Sequence, residues 1–379
     1  MDFDLSEEQR LLKESVDRFM ADNQRDPGQH GAAADPAALW SGFAELGLLA
    51  IPFADEDGGL GGGAVETMIL MEAMGRELIT LPYLPTVVLG GGFLRLGGSP
   101  AQRQEFIPRI ADGSLTMAFA QLERQSRHDL HDVATTATRV GGDYLLNGRK
   151  GVVLGGDAAS LLVVTARTAG ARRDTAGISL FLVDADAPGV NRRAMPAQDG
   201  QGLAEITLEG VRVPAERVLG TVDEGLGLAS HVVDVALAAL CADSLGAMEA
   251  LQHLTVDYLK TRQQFGVPIG SFQALQHRAA DMLVAVEQAR SMAMYAAMMA
   301  DEADPVVRRP AMAAAKAQVN RSGRLVGEDA VQLHGGIAMT WEYRAGHYFK
   351  RLTNTELLFG DTDHHLRAVM QHGGLVEEV

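Results

Sequence analysis

The sequence has little cysteine and a shortage of basic residues, and each shortage excludes a class of protein. Cys241 is the one cysteine in 379 residues, so no disulfide can form within the chain. Lys and Arg number 33 against 49 Asp and Glu, which gives a formal net charge of −16. A chain this acidic is a poor partner for nucleic acid or an anionic membrane. We also find no apolar run of membrane-spanning length.

The N-terminal residues, MDFDLSEEQR, lack the basic flank and the apolar run of a signal peptide. We therefore expect a cytoplasmic protein. At 379 residues the chain is too long for one ordinary core, so two or three packed domains are expected. A hydrophobic fraction of 47% with 42 glycines favours a globular protein with many turns.

The hydrophobic pattern places a β segment between two helical segments. A capping box at Ser6 and Gln9 opens the first helix, and further helical patterns cover Ala37–Leu48, Gly63–Ile79 and Gln102–Ile110. From about Thr116 the period changes to two, and TTATRV, GGD and YLLNG predict a hairpin. Long helices rich in Ala, Leu, Met and Gln then run almost to the end. We predict an α+β fold with domains at 1–115, 116–226 and 227–379.

One helix-loop-helix, YLKTRQQFGVPIGSFQALQHRAADM, brings together groups that suit a nucleotide cofactor. Arg262 can neutralise a phosphate, and Phe265 can cover a flat ring. Gly266 and its neighbours fix the turn between the helices. A second motif, QLHGG, ends a later helix at Gly335 and Gly336, where positive φ and a bare backbone allow a nucleotide to approach closely.

These motifs closely resemble the "R-x-Q-F-G … F-Q" and "Q-x-x-G-G" signatures of the acyl-CoA dehydrogenase family. Its members are flavoenzymes that form the α,β double bond of acyl-CoA thioesters. VPAERVLG and NGRK extend the resemblance, which spans essentially the whole chain. It implies an N-terminal helical domain, a β-barrel-like middle domain and a C-terminal four-helix-bundle domain. It also implies FAD as cofactor and electron-transfer flavoprotein as electron acceptor.

In the family, both motifs contact the adenosine diphosphate half of FAD across a dimer interface, on FAD held mainly by the neighbouring subunit. The resemblance therefore assigns FAD contacts to Arg262, Gln264, Phe265, Gly266, Gln273, Gln332, Gly335 and Gly336. The alternative is that Phe265 belongs to the core and Arg262 to a surface ion pair.

Two segments that hold the flavin in the family have changed here. The family's T-E-P-G-A-G-S-D bonds the flavin and its pyrophosphate through hydroxyls and small residues; here it is LERQSRHD, from Leu122 to Asp129. Leucine replaces the threonine, histidine replaces the serine, and glutamine and arginine replace the glycines. The family's K-x-W-I-T-N-G packs an aromatic ring on the flavin, but the matching segment, Lys150–Gly156, has neither ring nor hydroxyl.

The catalytic base is also missing from both positions that the family uses. The reaction needs a carboxylate that takes the α-proton while hydride leaves to the flavin. The usual glutamate corresponds to Gly360, and the alternative position, on the helix before R-x-Q-F-G, corresponds to Ala236. Asp361 and Asp234 lie nearby as substitutes, although Asp361-Thr362 is equally typical of a turn or a helix cap.

Three functions remain open at this point. The pattern of losses resembles the subunit without a base in α2β2 acyl-CoA dehydrogenases, notably those of actinobacterial steroid side-chain degradation, where a homologous partner carries base and flavin pocket. Alternatively, the chain is an active homotetramer with Asp361 as base, or a flavin-free protein that binds acyl-CoA or acts as a scaffold. The acyl group, whether steroid, branched or straight, is not readable from the sequence.

No other motif indicates separate chemistry. His128 with His131, and His364 with His365, have spacings that metal ligands sometimes show, but flanking acids favour a solvated surface or a subunit contact, so no metal site is expected. Cys241 lies in an alanine-rich helix and is expected to be a packed thiol.

Overall fold

The computed structural model describes residues 4–23 and 35–371. The first helices are α1 (Glu7–Asp22), α2 (Pro36–Glu45), α3 (Ala64–Glu77), α4 (Gly92–Gly97) and α5 (Pro100–Ala111). The strands that follow are β1 (Met117–Ala120), β2 (Thr136–Val140), β3 (Asp143–Leu154), β4 (Leu161–Arg167), β5 (Ile178–Asp184), β6 (Val190–Pro196), β7 (Gly202–Val213) and β8 (Val218–Leu219). The last elements are α6 (Gly225–Thr261), β9 (Gln263–Gln264), β10 (Val267–Pro268), α7 (Gln273–Met299), α8 (Pro305–His334), α9 (Arg344–Leu357) and α10 (Thr362–Gln371).

The predicted α+β class, with a β segment between helical ones, is confirmed. The four predicted N-terminal helices and the β2–β3 hairpin are all present. The sequence did not predict the π-helical stretch Leu84–Gly91 that runs into α4. The domain boundaries near residues 115 and 226 stay predictions.

The chain forms two compact units. The first takes in the described residues of 4–39 together with 63–79 and 237–371, and the second takes in 40–62 and 80–236. In the first unit α8 packs against α7, α9 and α10, and α3 packs against α1 and α7. A Cβ added to Gly246 of α6 would lie 1.9 Å from the carbonyl oxygen of Glu72 of α3. Because that separation is far below any contact distance, glycine is required where these two helices cross.

Helix starts in the first unit follow ordinary capping chemistry. The Gln9 amide N–H donates to Ser6 Oγ at 3.1 Å, and the Ser6 amide N–H donates to Gln9 Oε1 at 2.9 Å, so the predicted capping box is present. At α8, Pro305 occupies the first turn and Asp304 Oδ1 accepts from the amide of Val306 at 2.9 Å. Both helices therefore begin where the sequence supplies an acceptor for their free amides.

The second unit is built on one sheet in the order β6-β7-β3-β2-β4-β5-β8, with β1 added parallel to β4. β2 and β3 pair antiparallel around a two-residue loop, where Gly141 has a φ of 65°. One face of the sheet is closed by a core that includes Leu146, Phe181 and Ile206, all of them buried. The register of β3 against β7 shifts between Lys150 and Val153, which marks a β-bulge at Gly151 and Val152.

Helix α6 is long and apolar enough to cross a membrane by length and composition, with a mean hydropathy of 1.7 over its best window. The expectation that no segment reaches that length is therefore wrong for α6. However, 78% of that window is buried within the fold, as in the core helix of a packed protein. Helix α6 is this apolar because it is rich in Ala, Leu and Val that pack on more than one side.

Candidate functional site

The strands β9 and β10 form a small hairpin whose tip is Phe265-Gly266. Gln264 pairs with Val267, and the φ values of the two loop residues are 55° and 80°. Positive φ at both positions is typical of a type I′ turn, which favours Asn or Gly at the first of them. A phenylalanine held there is strained by about 1–3 kcal/mol. Phe265 is nevertheless 91% exposed, and its ring contacts Phe272 edge-on at 6.0 Å.

The side chain of Arg262 is exposed beside this hairpin and makes no hydrogen bond or ion pair to the described residues. Its backbone is well held, because its amide donates to Tyr258 O and its carbonyl accepts from the amide of Ile269, both at 2.8 Å. The alternative in which Phe265 is core and Arg262 is paired therefore does not hold within this chain. Gln264 and Gln273 are exposed on the same connection.

The second motif exposes its backbone at the end of α8. Gly335 has a φ of 65° and closes the helix, with its amide donating to Val331 O. A Cβ added to Gly335 or to Gly336 would meet nothing within 4 Å, so the space above both glycines is open. Gln332 is exposed one turn earlier. A bare, open backbone with a neighbouring amide side chain can approach a nucleotide closely.

Three aromatic rings bring the two motifs together. The His334 ring lies 4.6 Å from that of Tyr258 and 5.1 Å from that of Tyr343, measured between centroids. Tyr258 is one helical turn before Arg262, and His334 directly precedes Gly335. The FAD contacts predicted from the sequence thus lie on two exposed segments of the same unit, joined by this aromatic cluster.

In the β domain, Glu123 and Lys150 form a buried ion pair beneath the Leu122–Asp129 loop. Lys150 Nζ donates to Glu123 Oε1 at 2.8 Å and to Thr165 O at 2.7 Å, and Glu123 also accepts from the Thr135 hydroxyl at 2.7 Å. Although burial alone would raise it, the pKa of Glu123 is lowered to about 2 by Lys150 and by its hydrogen bonds. Burial lowers the pKa of Lys150 to about 8, against the attraction of Glu123. This pair holds the loop on the sheet and leaves neither charge for a ligand.

A cleft of about 550 Å³ opens above that pair. Leu122 and Val152 line it, and the Gly151 amide donates to Leu122 O at 2.8 Å, which fixes the loop against β3. The bulge turns Val152 outward, so that it is 41% exposed. Arg127 holds a φ of 50° in the same loop. The cleft wall is therefore aliphatic at Leu122 and Val152, although Arg124, Gln125 and Arg149 line it elsewhere.

At the usual base position the backbone conformation and two histidine rings disfavour a side chain. Gly360 has a φ of 125°, and a Cβ built on it would lie 2.6 Å from His364 Cδ2 and 2.6 Å from His365 Nε2. Phe359, directly before it, also has a positive φ, of 56°. Below the loop, buried Lys316 Nζ donates to Thr355 O and to Asn320 Oδ1, both at 2.6 Å. Glycine is favoured here by its φ, and a Cβ would displace the His364 and His365 rings.

Asp361 and Asp234, the two acids that could replace the missing base, lie in different surroundings from each other. Asp361 Oδ1 accepts from the amide of His364 at 2.8 Å, which makes Asp361 the N-cap of α10. It also lines a cavity of about 640 Å³ with Arg324 and Thr362, so solvent reaches it. Asp234 is 6% exposed and Ala236 is fully buried on α6.

The remaining sequence motifs are accounted for by packing. The rings of His364 and His365 lie edge to face at 5.1 Å. Within residues 4–23 and 35–371, no group of three or more His, Cys, Asp or Glu residues is arranged to hold a metal ion. Burial raises the pKa of the Cys241 thiol to about 12, so Cys241 is a packed thiol as predicted.

Family models for the three acyl-CoA dehydrogenase domains match this chain: the N-terminal domain over residues 6–114, the middle domain over 118–211 and the C-terminal domain over 223–374. The chain belongs to the acyl-CoA dehydrogenase family. It is thus an oxidoreductase of the type that acts on the CH–CH bonds of acyl-CoA thioesters.

Individual relatives cover almost the whole chain. "Probable acyl-CoA dehydrogenase YngJ" of Bacillus subtilis is 31% identical over 353 residues, which is 90% of this chain and 92% of that protein. The ChsE4-ChsE5 complex of Mycobacterium tuberculosis contains a chain with a TM-score of 0.86 and 27% identity, and both chains are covered in full. A variant of the Tcur3481-Tcur3483 steroid ACAD gives a TM-score of 0.85 and 29% identity, with 97% of each chain covered.

Two parts of this acyl-CoA dehydrogenase differ in how they fit FAD. The exposed ring of Phe265, the unpaired Arg262 and the open glycines at the end of α8 fit its adenosine diphosphate half. In the cleft of the β domain, the side chains of Leu122 and Val152 fit the flavin ring poorly, because they offer it no hydrogen bond.

The residues that support the site were not predicted from the sequence. Tyr258, His334 and Tyr343 form the aromatic cluster, and Lys316 binds Thr355 O near the end of α9, just before the Gly360 loop. Spacing offered a signal for two of them, since Tyr258 is four residues before Arg262 and His334 lies inside QLHGG. Lys316 gave none, because only one of its two acceptors, Asn320, is a neighbour on α8, and the other, Thr355 O, belongs to α9.

Proposed function

We propose that this chain is the subunit of a heteromeric, FAD-dependent acyl-CoA dehydrogenase that contacts FAD held by a homologous partner. The partner supplies the catalytic carboxylate and the flavin pocket, and electrons pass on to an electron-transfer flavoprotein. This chain contributes Arg262, Phe265 and the backbone at Gly335 and Gly336 to the adenosine diphosphate half of the cofactor.

The observation that carries this proposal is the packing at Gly360. A glutamate there would need a Cβ within 2.6 Å of two histidine side chains, and a backbone that only glycine adopts easily. A chain that cannot hold the family's base, yet presents a strained and exposed phenylalanine beside a free arginine, is suited to completing a site on another chain.

Two further observations support a heteromer. The cleft of the β domain lacks hydrogen-bond donors at Leu122 and Val152, which weakens flavin binding within this subunit. Relatives of similar length include the ChsE4-ChsE5 complex and the Tcur3481-Tcur3483 steroid ACAD, whose names each pair two proteins.

The test is purification of the chain alone and together with a homologue that carries T-E-P-G-A-G-S-D and a glutamate base. We expect the lone chain to be colourless and inactive with an artificial electron acceptor. The co-purified assembly should contain flavin and oxidise acyl-CoA. Bound flavin and acyl-CoA oxidation by the lone chain would refute the proposal.

A matched pair of variants shows whether this subunit touches the flavin. In the assembly, Arg262→Ala should weaken FAD binding by about 10-fold or more, since it removes a charge-assisted contact worth about 1.5–3 kcal/mol. Arg278→Ala removes an exposed arginine paired with Asp329 on α8 and should leave FAD affinity unchanged. Equal affinities for the two variants would contradict the proposed contact.

An active homotetramer with Asp361 as base is the second candidate, favoured by one observation: Asp361 borders an open cavity of about 640 Å³. Its carboxylate already caps α10, which explains its presence without catalysis. Turnover by the lone chain that disappears in Asp361→Asn would support this candidate.

A further inference from the structure

The two segments proposed to contact FAD are at the ends of different helices, and an aromatic cluster lies between them. Tyr258 belongs to α6, His334 is the last residue of α8, and Tyr343 precedes α9. Centroid distances are 4.6 Å for Tyr258–His334, 5.1 Å for His334–Tyr343 and 6.3 Å for Tyr258–Tyr343. Such spacings are typical of favourable aromatic pairs, and His334 takes part in two of the three contacts.

The His334 ring is fixed in one orientation. It is 4% exposed, and its Nδ1 lies 2.8 Å from the carbonyl oxygen of Ala330. Because a carbonyl only accepts, Nδ1 carries the proton in this hydrogen bond. Burial lowers the pKa of His334, while the carbonyls of Ala330 and Leu254 act in the opposite direction. Burial thus favours the neutral form of the ring, which packs as an aromatic group.

The backbone transmits this orientation to both FAD contacts. The Arg262 amide donates to Tyr258 O, so the Arg262 turn follows the position of Tyr258. Gly335 comes directly after His334 and closes α8 with its amide on Val331 O. A shift of the histidine ring would consequently move the arginine turn relative to the open glycines.

We infer that His334 is a positioning residue for FAD, which holds the Arg262 turn at a fixed distance from Gly335 and Gly336 without contacting the cofactor. This rests on the proposed function, in which both segments contact the same nucleotide. If one nucleotide contacts both segments, displacing either segment by about 1 Å weakens FAD binding as much as removing a direct contact does.

The test compares His334→Leu with His334→Phe in the flavin-depleted assembly. Both variants lose the Nδ1 hydrogen bond and fill a similar volume, but only phenylalanine keeps a ring between Tyr258 and Tyr343. We expect His334→Leu to weaken FAD binding by about 10- to 100-fold, and His334→Phe to stay within about 3-fold of the wild type. Flavin fluorescence during titration gives both affinities.

Two further measurements separate positioning from general damage. The absorption spectrum of retained flavin should be unchanged in His334→Leu, because the affected contacts lie on the adenosine diphosphate half. Thermal unfolding of the lone chain identifies a variant that fails to fold. Equal FAD affinities for the leucine and phenylalanine variants, whether both normal or both weak, would overturn the inference. If Arg262→Ala also leaves FAD affinity unchanged, both the inference about His334 and the proposed function are refuted. If Arg262→Ala weakens FAD binding but the two His334 variants do not differ, only the inference about His334 is refuted.

Discussion

Replacing Phe265 by asparagine should stabilise the lone chain while weakening FAD binding in the assembly. The φ of 55° at Phe265 costs about 1–3 kcal/mol for an ordinary side chain, whereas asparagine commonly adopts it at the first position of an Asn-Gly turn. The phenylalanine is 91% exposed, so little burial is lost. Loss of the edge contact with Phe272 removes about 0.5–1.5 kcal/mol. We expect a net gain of about 0.5–1 kcal/mol in the free energy of unfolding.

The effect on the cofactor has the opposite sign. Stacking of a nucleotide base on an aromatic side chain is worth about 1–3 kcal/mol, which corresponds to about 5- to 150-fold in affinity. Asparagine offers no ring to the adenine of FAD. The same substitution should therefore raise the denaturation midpoint of the lone chain and lower the FAD affinity of the assembly.

Two control variants separate strain from ring contact. Phe265→Tyr keeps both and should leave stability and FAD affinity unchanged. Phe265→Ala keeps the strained backbone but loses the ring, so it should weaken FAD binding without stabilising the chain. Chemical denaturation gives stability, and flavin titration gives affinity. A destabilised Phe265→Asn chain would show that the turn is not strained, and an unchanged FAD affinity would remove Phe265 from the site.

Substitutions at three further positions test the remaining structure. Glu123→Gln should destabilise the chain by about 3–5 kcal/mol at pH 7, because it leaves Lys150 buried without its partner. Since the folded pKa of Glu123 is about 2, below its ordinary 4.5, the wild type should lose this stability as the pH falls from 4.5 toward 2, and the variant should show a flatter acid profile. Gly360→Glu should destabilise by at least about 1–3 kcal/mol and restore no turnover; equal stability of Gly360→Ala and wild type would contradict the steric argument. Asp361→Asn should leave stability unchanged because asparagine caps a helix equally well, while Asp361→Ala should lose about 0.5–2 kcal/mol, as measured by thermal unfolding.

Local patterns predicted the fold well where they decide the structure on their own. The capping box at Ser6 and the Gly141-Gly142 turn each need only neighbouring residues, and both are present. The sequence does not predict a helix at Leu84–Gly91. Its residues are buried on all sides, so they show no helical period, and no local pattern indicates π-helical hydrogen bonding. The sequence predicts only a turn at the short β9–β10 hairpin, because two residues per strand are too few to show an alternating pattern.

For the site, candidate residues could be identified from the sequence, but their conformations could not. It assigned Arg262 and Phe265 by resemblance, yet left open whether Phe265 was core. The structure is needed to show that Phe265 is exposed in a left-handed conformation. It is also needed to show that a Cβ at Gly360 would lie 2.6 Å from two histidine side chains. The first depends on two φ angles, and the second on the rings of His364 and His365, which no pattern of residue types encodes.

The two departures from local preference have different consequences for the proposed division of labour. The region around Gly360 is stable without a base. The glycine adopts its φ readily, Asp361 caps α10, and Lys316 binds the end of α9. A glutamate here would have to displace the His364 and His365 rings and hold a φ that only glycine adopts easily, so we do not expect one substitution to restore a working base. At Phe265 the surroundings are not satisfied, since the lone chain keeps an exposed ring on a strained turn. Contact of that ring with a nucleotide would offset part of the strain, so Phe265 supports the need for a partner independently of the missing base at Gly360.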